Sequence, residues 1–283
     1  MDTPKPELKA YLRKIARTFQ CSETPELDAE LLLMHVLEKP RAFLYAHGNY
    51  ILKPQQLIAL ECLVSKRAAG MPMAYLLGER EFWSLLLYVT KDTLIPRPET
   101  ELLIELVLAL CSQNKRYQVL ELGTGTGAIT LALASEKPHW QFLALDKSKA
   151  AVCIAEKNKA RFQFHQIQLL QSDWFEQIYA KTFDLIISNP PYLSKNDSHQ
   201  YQGDLRFEPK MALISGEDGL LDITHLIKES IHYLNHGGLL LLEHGFEQGA
   251  AVRKLFHDNQ YINIATWKDS NHNDRVTGGW KSN

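Results

Sequence analysis

The segment from Tyr117 to Ala134 restricts the fold of this chain more than any other. A short apolar run, Tyr117 to Leu122, leads straight into Gly123-Thr124-Gly125-Thr126-Gly127-Ala128, and the residues from Ile129 to Ala134 are helix formers. A strand that runs into glycines and then a helix opens a βαβ unit, because a strand buried on both faces needs crossover helices to cover it. Glycines at such a turn let the backbone approach a ligand closely, and the helix N-terminus directs N–H groups at it. About twenty residues on, the run Phe142 to Leu145 ends in Asp146, where a carboxylate can accept from both ribose hydroxyls. The spacing predicts an α/β fold with a ribose-bearing cofactor at the carboxyl ends of its strands. The glycine pattern also satisfies the dinucleotide fingerprint, so alone it does not name that cofactor.

A further strand ending carries the chemistry. Phe183 to Ser188 is apolar enough for a strand covered on both faces, and it stops at Asn189-Pro190-Pro191-Tyr192. Each proline lacks an N–H and fixes its own φ, so the stretch is stiff and extended, with polar groups that the sheet cannot use. The Asn189 side chain and the Pro190 carbonyl offer two acceptors for both hydrogens of a planar NH₂ group, beside the Tyr192 ring. That suits methylation of an amide or amino nitrogen. A loop in which Asn189 caps a turn and Tyr192 packs explains the bare four residues equally well. Asp173 and Trp174 follow a third strand near Ile167 to Leu170, where they can hydrogen-bond and pack an adenine; a capped turn with a buried Trp is as good a reading of those residues.

The 283 residues suffice for two domains. Leu8, Tyr11, Leu12, Ile15 and Phe19 recur at helical spacing from Pro6 onward, Thr24-Pro25 forms a cap and first-turn pair before a second helix, and a further helix spans about Pro54 to Ala69. Residues 1–75 therefore read as a small helical bundle for binding a partner. Residues 76–98 read as a linker with a β-hairpin, and 99–283 as the catalytic domain, which starts with a helix whose buried stripe is Leu102, Leu103, Leu106, Val107 and Leu110. The segment from Tyr192 to Gly219 lacks periodicity and reads as a long functional loop. Thirty-one basic against 33 acidic residues advertise no phosphate backbone as partner. Cys21, Cys62, Cys111 and Cys153 have no paired spacing and read as reduced core thiols, with neither disulfide nor metal site. The first residues hold no apolar core of a leader and no run is long enough to span a bilayer, so the chain is expected to be cytoplasmic and off the membrane.

The segments LDAELLL (27–33), RAAGMPMAYLLGEREFW (67–83), LIPRPETE (94–101), ELGTGTGAI (121–129), SDWF (172–175), SNPPY (188–192) and FEPKMALISGEDGL (207–220) resemble, almost end to end, the PrmC/HemK family of S-adenosylmethionine-dependent methyltransferases. NPPY alone is shared with adenine-N6 nucleic-acid methyltransferases; the segments at 94–101 and 207–220 are more specific. The resemblance implies a class I, Rossmann-like methyltransferase sheet with an all-helical N-terminal domain. It also implies methylation of N5 of the glutamine in the GGQ motif of peptide-chain release factors; a monomer without direct nucleic-acid binding is expected. Residue by residue it implies that Glu121 and Gly123, Thr124, Gly125, Thr126 and Gly127 cradle the methionine end of S-adenosylmethionine. Asp146 would hold the ribose, Asp173 and Trp174 the adenine, and Asn189, Pro190, Pro191 and Tyr192 the glutamine, with Asn189 also close to the cofactor. Many relatives have Asp where this chain has Glu121, which keeps the carboxylate and changes its reach. Two readings compete: an adenine-N6 nucleic-acid methyltransferase, disfavoured by the near-neutral charge, and an NAD-dependent oxidoreductase, which leaves NPPY unexplained. A non-catalytic adaptor would have no need of intact Gly, Asp and NPPY positions.

Overall fold

The computed structural model describes residues 7–20, 22–112 and 114–282. Cys21 and the expected helix start at Pro6 lie outside them. The chain forms two compact units, one of residues 1–78 with 201–207 and one of residues 79–200 with 208–283.

The first unit is helical: α1 (Leu8–Ala16), α2 (Pro25–Leu37), α3 (Arg41–Ala46), α4 (Pro54–Ala68) and α5 (Met73–Leu77). Leu8, Tyr11, Ile15 and Phe19 are buried with Leu32, Leu33 and Leu60 in one core, as the helical spacing requires. Thr24 stands at the N-cap of α2 but makes no side-chain cap. Ser22 Oγ receives the Thr24 N–H and donates to Asp28 within α2. Asp28 also binds Arg67 Nε at 2.7 Å, both side chains being largely buried. Gly70 stands at φ +89, a conformation strained for any residue with a Cβ, and its neighbour Ala69 accepts from the Arg206 guanidinium. The short α5 sits between Pro72 and Gly78, in a stretch whose prolines and glycines suggest a break; these residues start and stop the helix rather than prevent it.

The second unit begins with a hairpin, β1 (Glu79–Phe82) and β2 (Leu85–Tyr88). After a 3-10 turn at Pro98–Thr100 come α6 (Glu101–Leu110), β3 (Gln118–Leu122), α7 (Ala128–Glu136), β4 (Gln141–Asp146), α8 (Lys149–Phe162), β5 (Ile167–Gln171) and β6 (Phe183–Ser188). Then follow α9 (Leu221–Tyr233), β7 (Leu234–Glu243), α10 (Gly249–Asp258), β8 (Tyr261–Lys268) and β9 (Asp274–Lys281). The α6 stripe differs from expectation: Ile104 is buried with Leu103, Leu106 and Val107, while Leu110 in the last turn is exposed. The seven strands lie in the order β5-β4-β3-β6-β7-β9-β8. The first five are parallel and β9 is antiparallel to both β7 and β8, the α/β class expected. Leu185, Ile187 and Leu241 face one buried layer, and Ile186, Leu240 and Leu242 the other, which is why their run is apolar throughout. Strand order reverses between β3 and β6, so the crevice for a ligand opens beyond Leu122 and Ser188. Residues 193–219 contain only short 3-10 turns and a parallel bridge between Leu193 and Ile214. Among the described residues no helix is long and apolar enough to cross a membrane. Of the described thiols only Cys111 is a core residue; Cys62 and Cys153 are exposed, on the outer faces of α4 and α8.

Candidate active site

Where β3 ends, the chain must turn at once, and Gly123 and Gly125 do so at φ +73 and +56, a region that penalises any residue with a Cβ. Three bonds fix this turn. The Thr124 N–H donates to the Leu145 carbonyl at 2.9 Å, the Gly125 N–H to Asp146 Oδ2 at 2.8 Å, and the Ser188 hydroxyl to the Leu122 carbonyl at 2.6 Å. The ends of β3, β4 and β6 are thus tied side by side at the switch point. A cavity of about 340 Å³ opens there, lined by Glu121, Gly123, Thr124, Gly125, Thr126, Asp146, Asp173, Trp174, Asn189 and Pro191 among others.

Gly127, Pro190 and Tyr192, grouped with these residues by sequence, are not in that lining. A Cβ at Gly127 would meet Leu131 at 3.1 Å and Ala155 at 3.4 Å, so its part is to let α7 approach α8. Pro190 is buried. Tyr192 is held by its backbone, its N–H donating to the Leu213 carbonyl and its carbonyl accepting from Gln248. Burial, followed by the charge of Glu243, raises its phenol well above the ordinary value, so it stays neutral.

Asp146 spends one lone pair of each oxygen on the Gly125 and Ser148 N–H groups and keeps capacity for two further donors. Asp173 is paired with Lys147 at 2.6 Å. Trp174, in the left-handed region at φ +46, lies 3.7 Å from where a Gly123 Cβ would stand, which brings the ring under the glycine turn. Glu121 accepts through Oε2 from the Thr124 hydroxyl and the Thr130 N–H, at 2.7 and 3.2 Å. Its Oε1 is buried and has no hydrogen-bond partner among the described residues. Burial pushes its carboxyl up to about 7, against the bonds from Thr130 and Thr124. An unpaired carboxylate oxygen, ribose acceptors and an open glycine turn in one cavity fit a molecule with a cationic end, a ribose and a flat ring.

Several residues escape sequence reasoning. Arg97 pairs with the fully buried Glu208 at 2.5 Å, and the other oxygen of Glu208 accepts the Ile95 N–H, so the segments at 94–101 and 207–220 are clasped together over the cavity. Their 111-residue separation hides the pair from any periodicity. Asn158, on α8, has its Oδ1 on the Tyr88 N–H and its Nδ2 on the Tyr88 and Thr126 carbonyls, joining the hairpin to the glycine turn. Thr100 accepts from Asn189 Nδ2 at 3.1 Å.

Comparison with known proteins shows the family. Residues 10–78 match the PrmC N-terminal domain and residues 98–205 the methyltransferase small domain. A release factor glutamine methyltransferase from Escherichia coli (strain K12) is 45% identical over 273 residues, 96% of this chain and 98% of that protein. The chain belongs to the release factor glutamine methyltransferase family. Another member, from Vibrio cholerae, is 50% identical over 259 residues, 91% of this chain and 90% of its own. A methyltransferase structure from Pyrococcus furiosus, 17% identical, aligns with a TM-score of 0.53 over 79% of this chain and 98% of that one, a likeness of fold alone.

Proposed function

We propose that this chain transfers a methyl group from S-adenosylmethionine to the side-chain amide nitrogen of a glutamine in a peptide-chain release factor, the glutamine of the GGQ motif. The observation that carries this reading is that Asn189 opens onto the same cavity as Asp146 and the glycine turn, in a chain 45% identical to a named family member over nearly its whole length. When bound, S-adenosylmethionine supplies an electrophilic methyl group. Glu121, Gly123, Gly125, Asp146, Asp173 and Trp174 are the residues to hold it.

An amide nitrogen is a poor nucleophile because its lone pair is delocalised. In this reading Asn189 Oδ1 and the Pro190 carbonyl each accept one N–H of the substrate amide, stabilising the positive charge that develops on nitrogen as it loses conjugation. Pro190 and Pro191 keep those acceptors stiff, so little reorganisation is needed at the moment of reaction. Tyr192 acts as a packed, neutral wall rather than as a base. The helical unit, with no reactive cluster of its own, serves recognition of the protein substrate. A substrate of the translation machinery places the reaction in the cytoplasm.

The test is incubation of the purified chain with a release factor and labelled S-adenosylmethionine, alongside DNA and RNA, followed by peptide mass spectrometry. One added methyl group on the GGQ glutamine is expected. Label in nucleic acid, or none on that glutamine, would overturn the assignment.

A further inference from the structure

The stretch that carries Asn189 is anchored at both ends, and the second anchor is a residue that the reaction as described does not use. At the near end Ser188 belongs to β6, with its hydroxyl on the Leu122 carbonyl. At the far end Tyr192 is held by both of its backbone polar groups. Its N–H donates to the Leu213 carbonyl at 3.2 Å, and its carbonyl accepts from Gln248 Nε2 at 3.0 Å. The same Nε2 donates to the Gly219 carbonyl at 3.3 Å, while Gln248 Oε1 accepts the Gly245 N–H at 2.8 Å. One half-buried side chain therefore joins the start of the long loop after Tyr192, the end of that loop, and the turn between β7 and α10.

All three partners of that amide are backbone groups, and this settles its orientation. A carbonyl only accepts and an N–H only donates, so the flipped amide would set Oε1 against two carbonyl oxygens and the NH₂ group against an N–H. The backbones also approach closely here: a Cβ at Gly219 would stand 2.3 Å from the Tyr192 carbonyl oxygen, and one at Gly245 3.6 Å from the Tyr192 ring. Between Tyr192 and Asn189 stand two prolines with fixed φ, and the residue before a proline is restricted as well. The stretch therefore passes a displacement at Tyr192 on to Asn189 instead of absorbing it. Gln248 is outside the cavity lining, so whatever it does for the chemistry it does through Tyr192. We propose that Gln248 is a positioning residue for methyl transfer, its amide holding the Tyr192 carbonyl so that Asn189 Oδ1 and the Pro190 carbonyl stay where the substrate NH₂ meets the methyl group. This rests on the reading of Asn189 and Pro190 as acceptors for that NH₂.

The experiment uses the full chain and a release factor, with S-adenosylhomocysteine affinity by calorimetry as the control. Gln248→Met keeps most of the side-chain length and removes all three bonds. It should lower kcat roughly 10- to 100-fold, as misplacement of a reacting group does, with KM for the release factor and S-adenosylhomocysteine affinity within about threefold of wild type. Gln248→Glu keeps the shape and the acceptor for the Gly245 N–H but, ionised, turns an acceptor toward two carbonyls; it should lower kcat at least as far. Because Gln248 acts through the stretch that carries Asn189, the penalty of either substitution should shrink about threefold or more in an Asn189→Ala background. If Gln248→Met does not fold, Gln248→Glu carries the cycle. An unchanged kcat, a loss confined to KM or to S-adenosylhomocysteine affinity, or an equal penalty in both backgrounds overturns the role of Gln248 while leaving the proposed reaction intact. Wild type that binds S-adenosylhomocysteine yet methylates no glutamine removes the reaction and the positioning role together.

Discussion

Asn189 bears the chemistry through one atom. Asn189→Ala leaves Pro190, Pro191 and the glycine turn in place, so S-adenosylhomocysteine should bind within a few-fold of wild type while kcat falls on the order of 10²–10³-fold, or ~3–4 kcal/mol, by analogy with removal of one oxyanion-hole partner. Methyl transfer within a few-fold of wild type would contradict the mechanism. Asp146 is a mixed case. The strand-end spacing suggests a carboxylate free for ribose, yet it also receives the Gly125 and Ser148 N–H groups. Asp146→Ala should therefore weaken S-adenosylhomocysteine at least tenfold by calorimetry, and also destabilise the ligand-free protein by about 1–3 kcal/mol, the usual cost of leaving buried groups unpaired. Unchanged affinity would remove it from the cofactor site.

Elements whose burial has a simple period are legible from sequence: the apolar runs read at 117–122, 142–145 and 183–188 are β3, β4 and β6. The hairpin turn is harder to read. Trp83 and Ser84 both have positive φ, at 49 and 59, in a place where Asn-Gly is the usual signal; the strain is met by Glu101, which accepts the Trp83 N–H, and by Glu136 on the indole. β7 begins at Leu234 and includes Gly237 and Gly238, its register with β6 shifting between Phe183 and Leu185. In the site, the residues at strand ends were predictable because topology puts them there, whereas Thr100, Asn158 and Glu208 gain their places through partners remote in sequence. Asn158 gives the element-scale test. Asn158→Leu strands the Tyr88 N–H and the Tyr88 and Thr126 carbonyls, so urea denaturation should show a loss of about 3 kcal/mol or more. A loss below about 1 kcal/mol would mean that hairpin and glycine turn are held by packing alone.

At the scale of the molecule, three buried titrating groups set a pH signature. Glu121 and Glu243 are pushed up to about 7 by burial, so between about pH 4.5 and 7 the folded protein holds protons that the unfolded chain has released, and these groups lower stability as pH rises. Burial holds His244 below its ordinary 6.5, so the unfolded chain gains protons that the folded one refuses, and stability falls as pH drops through 6.5. Above pH 6.5 the unfolded histidine gives up its remaining protons, a rise in stability with pH that is smaller than the fall from the two carboxyls still protonated in the folded protein. Denaturation midpoints of the ligand-free protein should decline from pH 6.5 to 7.5, and Glu121→Gln should remove a large part of that decline; an identical slope in the variant would count against a buried, protonatable Glu121. The clasp of Arg97 and Glu208 bears on how such a chain is made. During synthesis the glycine turn leaves the ribosome well before Glu208, and Asn189 only shortly before it. Loop-closure entropy must be met before the clasp forms, so the nascent chain has strands and turn in place while the roof of its cavity is still missing, and an enzyme whose substrates serve translation becomes competent only near the end of its own.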